Sequence, residues 1–292
     1  MQQPFRLKVL TFNIWALPVA IPGADLRRRS ELLPKAIAAL DVDLVALQEA
    51  FHAHTRRTLL SALGHGYACH RDALATRRVL GLLRFDTTGG LLSFSRYPIV
   101  RQRCVTLDPP SDARFTEKLA RKGVLLLIVK TPVGEVAFAN LHFHAGPEAR
   151  SVRIRREQYR ALNRLVDELP ATLPLIVAGD FNTFTSISSG RRGHVARSRE
   201  IEPMIEAGFV DTAGVGDHGL VPTTYAAGEN RFTKLWYHGS DADQRFDHVF
   251  YRRSEHHEIV VERTAIVFDN PGRPLSDHYG VMTELLLSKR SH

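Results

Sequence analysis

Leu175-Ile176-Val177-Ala178-Gly179-Asp180-Phe181-Asn182 sets four apolar residues directly before a glycine, an acid and an amide. An apolar run of this length, bounded by turn formers, reads as a strand buried on both faces. Its polar residues fall where the strand ends. The pattern recurs along the chain. Val9-Leu10-Thr11-Phe12 stops at Asn13, Leu44-Val45-Ala46-Leu47 stops at Gln48-Glu49, and Val136-Ala137-Phe138-Ala139 leads into Asn140-Leu141-His142. Further strands are expected at residues 90–94, 123–130, 248–251, 259–267 and 279–287.

Helical patterns lie between these runs. Residues 26–40 place Leu26, Leu33, Ile37 and Leu40 on one face, with Arg27, Arg28 and Arg29 off it. Pro34 fits a first turn capped by Ser30, or else kinks a longer helix. Residues 148–169 carry Val152, Tyr159, Leu162, Leu165 and Leu169 on one face. Arg150, Arg153, Arg156, Arg160 and Arg164 form the other, read as a solvated face. Strands and helices alternate with no linker between halves. One α/β domain is therefore expected over residues 1–292, with its core at about 6–287.

The 292 residues are 44% hydrophobic and 24% charged, which excludes a disordered, collagen-like or coiled-coil chain. A net charge of +8 favours anionic partners such as nucleic acid, phospholipid or phosphorylated small molecules. Cys69 and Cys104 are the only cysteines, too few for a disulfide framework, and burial is expected for both. No apolar run approaches membrane-spanning length, and Met1 to Arg6 lacks the layout of a signal peptide. A cytoplasmic monomer is the expectation. Trp236 and Tyr237 are read as cleft or core residues, His256-His257 as a solvated turn, and Asp211 as a turn cap.

Polar residues at strand ends collect along one rim of a sheet, where ligand sites form. If the rims coincide, Asn13, Glu49, His142, Asp180, Asn182, Asp247, Asp277 and His278 share a pocket. This inventory is rich in oxygen and lacks thiolates, which suits a hard cation such as Mg²⁺, with Mn²⁺ an alternative. Such a cation polarises a phosphoryl oxygen, and a histidine beside a carboxylate takes the proton of an attacking water.

Thr11-Phe12-Asn13, Leu47-Gln48-Glu49, Gly179-Asp180-Phe181-Asn182, Phe246-Asp247-His248-Val249 and Ser276-Asp277-His278 resemble, in order and spacing, the motifs of the endonuclease/exonuclease/phosphatase superfamily of deoxyribonuclease-like hydrolases. The resemblance implies a four-layered α/β sandwich with two packed central β-sheets flanked by helices. It also implies roles. Glu49 is the main metal ligand, with Asn13 beside it, and Asp277 supports the metal or the phosphate pocket. His278 is the general base and Asp247 orients its ring. Asp180 and Asn182 hold the water and the phosphate, and His142 donates to a phosphate oxygen.

Within the superfamily, the chain is similar to the neutral sphingomyelinase-like branch. The similarity lies in Phe12-Asn13-Ile14-Trp15-Ala16-Leu17-Pro18, Gly89-Gly90-Leu91, Ser93 to Ile99, Lys122-Gly123, and Arg155 with Gln158. Histidine at 142 points the same way, whereas many members carry Tyr where His248 stands. Trp15, Lys122, His144 and Arg155 are accordingly expected against substrate. Residues 14–23 are almost wholly apolar and carry two prolines, and an exposed patch of this kind marks a lipid or partner surface. A Mg²⁺-dependent phosphodiesterase of sphingomyelinase or phospholipase C type is thus expected, with peripheral membrane contact through 14–23. A DNA or RNA nuclease, supported by the charge, the arginine-rich helix and Arg191 to Arg197, is the alternative. A catalytically inactive binding protein on the same scaffold is the third reading.

Overall fold

A computed structural model describes residues 3–290, apart from 20, 68, 73–74, 80–82, 88, 109, 112, 186–192, 215–219 and 236–241. The strands are β1 (Phe5–Ala16), β2 (Leu44–Ala50), β3 (Cys69–Asp72), β4 (Ala75–Val79), β5 (Leu83–Thr87), β6 (Leu92–Ser95), β7 (Ile99–Thr106) and β8 (Gly123–Thr131). They continue as β9 (Gly134–His142), β10 (Leu175–Asp180), β11 (His194–Ala196), β12 (Phe209–Asp211), β13 (Leu220–Pro222), β14 (Asp247–Arg252), β15 (His257–Val267) and β16 (Gly280–Lys289). The helices are α1 (Leu26–Ala39), α2 (Ala53–Leu63), α3 (Phe115–Ala120), α4 (Ala149–Asp167) and α5 (Glu202–Glu206).

Two six-stranded sheets form the centre, in the orders β15-β16-β1-β2-β6-β3 and β12-β14-β10-β9-β8-β7. Each has a parallel pair in its interior, β1 with β2 and β9 with β10, and antiparallel neighbours around it. A parallel pair needs a crossover, and α1 and α4 supply one each. The sheets face each other across Leu7, Val9, Ala46, Leu127, Phe138, Ile176, Val249 and Leu285. Leu33, Ile37, Leu59 and Leu63 cover the outer face of the first sheet, and Tyr159, Leu162, Val166 and Met204 that of the second. The order helix, sheet, sheet, helix is the four-layered sandwich that the motifs imply.

Side chains alternate across a strand with period two, and this decides where each polar residue goes. Leu7 and Val9 point between the sheets, so Thr11 and Asn13 do too. The same step carries Val136 and Phe138 to Asn140 and His142, Ile176 and Ala178 to Asp180, and Tyr251 and Val249 back to Asp247. The apolar core between the sheets thus gives way to a polar layer, and then to an acidic rim. In the polar layer, Gln48 Nε2 donates to Asn140 Oδ1 at 2.7 Å. Asn140 Nδ2 reaches Leu47 O at 3.1 Å and Ser93 Oγ at 3.0 Å. This is a hydrogen-bonded clasp from one sheet to the other.

Several readings change. Helix α1 begins at Leu26 and runs through Pro34, so Ser30 is not its cap; the Ser30 hydroxyl donates to Leu26 O at 2.7 Å. Arg29 is not off the apolar face with Arg27 and Arg28 but fully buried. Its guanidinium donates to the carbonyls of Ile14, Trp15, Ala24 and Leu275, which strand ends and turns would otherwise leave unpaired. β1 extends through Ala16, so Ile14, Trp15 and Ala16 belong to the interior and only the residues after them form the exposed turn. Cys104 is exposed on the edge strand β7, and His257 is buried in β15 rather than solvated. Asp211 does cap a turn, accepting from Ala213 N, but it is also buried against Arg245. Trp236, Tyr237, Arg191 and Arg192 lie outside the described residues.

Replacing Asn140 with Ala strips the clasp of both its acceptor and its donors and leaves buried polar groups unpaired. A loss of about 2–4 kcal/mol is expected. It should appear as a lower urea midpoint with unchanged slope, and a midpoint equal to the parent's would contradict the bridging role.

Candidate active site

The rim begins where the two parallel pairs end. Asp180 sits in register with both His142 and Asp247, which brings three strand ends of the second sheet together. From the first sheet comes Asn13, whose amide donates to Asp180 Oδ2 at 2.9 Å and to Glu49 Oε1 at 3.1 Å. One amide therefore links carboxylates of both sheets.

Glu49 breaks the alternation. Val45 and Leu47 face the helices, and period two would send Glu49 there as well. It instead adopts a left-handed φ of 56°, beside an irregularity in the β1–β2 register. Its backbone N–H reaches Gly89 O at 3.1 Å, and Ala50 N reaches Gly90 O at 2.9 Å. A Cβ on Gly90 would lie 2.7 Å from Ala50 N, so this close approach requires glycine.

His278 enters from the loop before β16. Its Nδ1–H donates to Asp247 Oδ2 at 2.8 Å, and its Nε2 stands 4.0 Å from Asp180 Oδ2. Thr224 fixes this pair: its hydroxyl accepts from Phe246 N at 2.9 Å, and its carbonyl accepts from Tyr279 N at 2.7 Å. Burial alone would push His278 down, but Asp247, with Asp180 and Asp277, overrides it and raises the imidazole to about 10.

His142 behaves oppositely. Burial and the Lys122 ammonium hold it down to about 3, against the pull of Asp180 and Glu117. Its Nδ1–H donates to Gly89 O at 3.2 Å, which leaves a lone pair on Nε2. That Nε2 makes no hydrogen bond among the described residues, yet it lies 3.4 Å from Asp180 Oδ2 and 3.9 Å from Glu49 Oε1. Three acceptors facing one another call for a positive charge between them. With a second proton the same nitrogen becomes a donor.

Asp277 is buried and its Oδ1 accepts from Ser276 Oγ at 3.0 Å; that hydroxyl also meets Asn13 O at 2.7 Å. Arg29 interacts electrostatically with both Asp277 and Glu49 and so backs the rim with a fixed cation. Asn182 has φ 49°, its N–H donates to Asp180 Oδ1 at 2.9 Å, and its amide donates to Phe143 O at 3.0 Å. It braces Asp180 from below.

The expected substrate contacts divide. Trp15 and Lys122 line a cavity of about 470 Å³ that opens on Glu49 and His142. His144 lies behind it, with Nδ1 3.2 Å from Glu117 Oε2, and Lys122 Nζ is 3.1 Å from the other Glu117 oxygen. Arg155 is no wall residue. It is fully buried, forks onto Glu200 at 2.7 and 2.8 Å, and donates to His144 O and Gly146 O. Glu117, Arg29 and Thr224 are contributors that sequence reading passed over. Their partners are remote in the chain, and Glu117 carries no motif.

The site fits a hard divalent cation. It offers buried carboxylate oxygens from Glu49, Asp180, Asp247 and Asp277, the Asn13 amide, and an unpaired acceptor at His142. Ligand atoms of Asp180, Asp247 and His278 lie within 4.8 Å of one another. His278 Nδ1 already bonds Asp247, which leaves the Glu49 side as the better place for a cation.

Two stacked sheets meet at a rim of buried carboxylates, beside a histidine oriented by an aspartate. Residues 10–278 match the Endonuclease/Exonuclease/phosphatase family, and the chain belongs to that family. It is 24% identical over 198 residues to a sphingomyelinase C of Leptospira interrogans, covering 60% of this chain and 34% of that protein. The chain therefore spans about a third of the length of that relative. Among solved structures it resembles sphingomyelinase C from Streptomyces griseocarneus, with 21% identity, TM-score 0.69, and 96% and 99% of the two chains covered. It also resembles D. rerio TDP2 complexed with a single-strand DNA product, with 18% identity, TM-score 0.69, and 96% and 98% covered. A beta toxin of Staphylococcus aureus with bound magnesium ions gives 18% identity, TM-score 0.69, and 96% and 99% covered. These likenesses speak for the fold.

The raised His278 gives a pH test. Its proton is held more tightly folded than unfolded, so the stabilisation is complete below about pH 6.5 and vanishes as pH rises through about 10. The metal-free protein should therefore lose melting temperature across that window, and His278→Gln should flatten the decline. An identical slope in both proteins would refute the pairing.

Proposed function

We propose that the protein is a Mg²⁺-dependent phosphodiesterase that cleaves a phospholipid of sphingomyelin type at its phosphate. The carrying observation is the cavity beside Glu49 and His142. Its walls include Trp15, Leu17, Val19, Ile21, Phe51 and Leu119, an apolar setting next to a charged rim. The basic residues lining it, Arg114 and Lys122, are paired with Glu148 and Glu117. The exposed arginines Arg153, Arg156, Arg160 and Arg164 lie on α4, over the outer face of the second sheet. A polynucleotide groove would present unpaired cations at the site itself. The sphingomyelinase C relatives and the magnesium-bearing beta toxin favour the same reading.

Glu49, with Asn13 and Asp277, would hold Mg²⁺, which when bound polarises the phosphoryl oxygen and eases departure of the leaving oxygen. With a cation on the Glu49 side to oppose the carboxylates that raise it, His278 is freed to take a proton from water at Nε2, while Asp247 fixes the tautomer and stabilises the imidazolium that forms. Asp180, braced by Asn182, places that water. Lys122 faces the phosphate oxygens, with the neutral His142 ring beside it. The water oxygen bonds to phosphorus, the bond to the lipid alcohol breaks, and the departing oxygen takes up a proton. His144 and Arg155 act through Glu117 and Glu200, without touching substrate. The turn after Ala16 meets the lipid surface through Leu17 to Ile21.

The test is a Mg²⁺-dependent screen of sphingomyelin vesicles, other phospholipids, DNA, RNA and inositol phosphates. Phosphocholine release from sphingomyelin is expected and should stop in EDTA. Asp247→Asn should lower kcat by about 10²–10⁴-fold. Glu49→Gln should lower it by at least a similar factor. Nicking of DNA without any lipid turnover would replace the lipid reading by the nuclease one.

A further inference from the structure

The two most exposed large apolar side chains among the described residues are Phe115, at 68%, and Val19, at 67%. Both belong to segments that line one cavity. Val19 lines it from the turn after β1, and Phe115 lies on α3 between Arg114 and Thr116, which both line it. The inner walls are aliphatic, with Leu17 and Ile21 from the turn and Leu119 and Ala120 from α3. The floor is polar, with Glu49, Lys122 and His142. One pole thus suits a phosphate and the other a hydrocarbon, so an occupant that satisfies both is an amphiphile. The apolar rims extend the same preference out to the surface.

We infer that Leu17, Pro18, Val19 and Ile21 of the turn after β1, together with helix α3, form a docking surface for a lipid aggregate. The cavity between them receives the hydrocarbon adjoining the scissile phosphate. This rests on the phosphodiesterase reading above and adds where the lipid enters. Helix α3 has six residues and could not hold its place by local hydrogen bonding. It is fastened from beneath by Glu117, which meets Lys122 Nζ, His144 Nδ1 and, at 3.3 Å, Ala145 N. Those contacts hold Glu117 well below the usual carboxylate range despite its burial. Glu117 therefore faces the protein, and Phe115 and Lys118 are left outward. Aromatic side chains suit this position because a membrane interface accepts an apolar ring at modest depth.

Two variants test the surface in EDTA, where turnover plays no part. In Phe115→Trp, fluorescence should be quenched by phosphatidylcholine–sphingomyelin vesicles carrying brominated chains, beyond the quenching of the parent. In Phe115→Ser, partition onto the same vesicles should fall at least tenfold. Its Mg²⁺-dependent hydrolysis of soluble bis(4-nitrophenyl) phosphate should stay within twofold of the parent, since Phe115 is largely exposed and is not among the residues that line the cavity. Absent quenching and unchanged partition, in a protein that hydrolyses sphingomyelin, would overturn the docking surface and leave the function standing. Quenching and lost partition without hydrolysis of any lipid would support the surface and overturn the lipid reaction.

Discussion

Four carboxylates, Glu49, Asp180, Asp247 and Asp277, are held nearly out of water at the end of a dry seam between two sheets. Removing even one such charge from water costs several kcal/mol unless it is matched. The chain matches part of the charge with the Asn13 amide, the Arg29 guanidinium and the proton on His278. The excess that remains is of the kind a divalent cation would neutralise. The left-handed backbone at Glu49 and Asn182 and the glycine at 90 keep these oxygens aimed at one point, against the run of their strands. Strain of this kind persists where surrounding structure over-determines it, and it marks functional sites.

The two sheets contribute in parallel fashion. Each ends an interior parallel strand pair at the same rim, Asn13 and Glu49 from one, His142 and Asp180 from the other. Antiparallel neighbours then begin where these end, so β14 opens with Asp247 and β16 opens two residues after His278. The catalytic groups therefore need no long loops to reach one another. Loops govern instead what approaches them, which is why the cavity is walled by a turn and a short helix.

Much of this was legible in the residues. The apolar runs ending in Asn13, His142, Asp180 and their kin gave both strands and rim, because a buried strand must place its first polar residue at an end. What escaped depends on contacts far apart in the chain. A helical wheel puts Arg29 with its charged neighbours, but the carbonyls left at the ends of β1 and the 275 loop draw it inward. Arg155 was read as a substrate contact because it resembles a family position, yet Glu200 and two carbonyls already use its fork. Glu49 carries the right motif, but only the backbone dihedral shows how it turns to face the seam. Glu117 belongs to a short helix whose purpose appears only when Lys122 and His144 stand beside it.

The inter-sheet clasp of Gln48, Asn140 and Ser93 lies one step beneath the rim. It fixes how far apart the sheets stand directly under the catalytic groups. His142, Asp180 and Asp247 sit on one side of that gap, and Asn13, Glu49 and the loop that carries His278 on the other. The hydrogen bonds from Asn13 to Asp180 and from His278 to Asp247 both cross that gap. The spacing set by the clasp therefore decides whether the two halves of the rim stay joined.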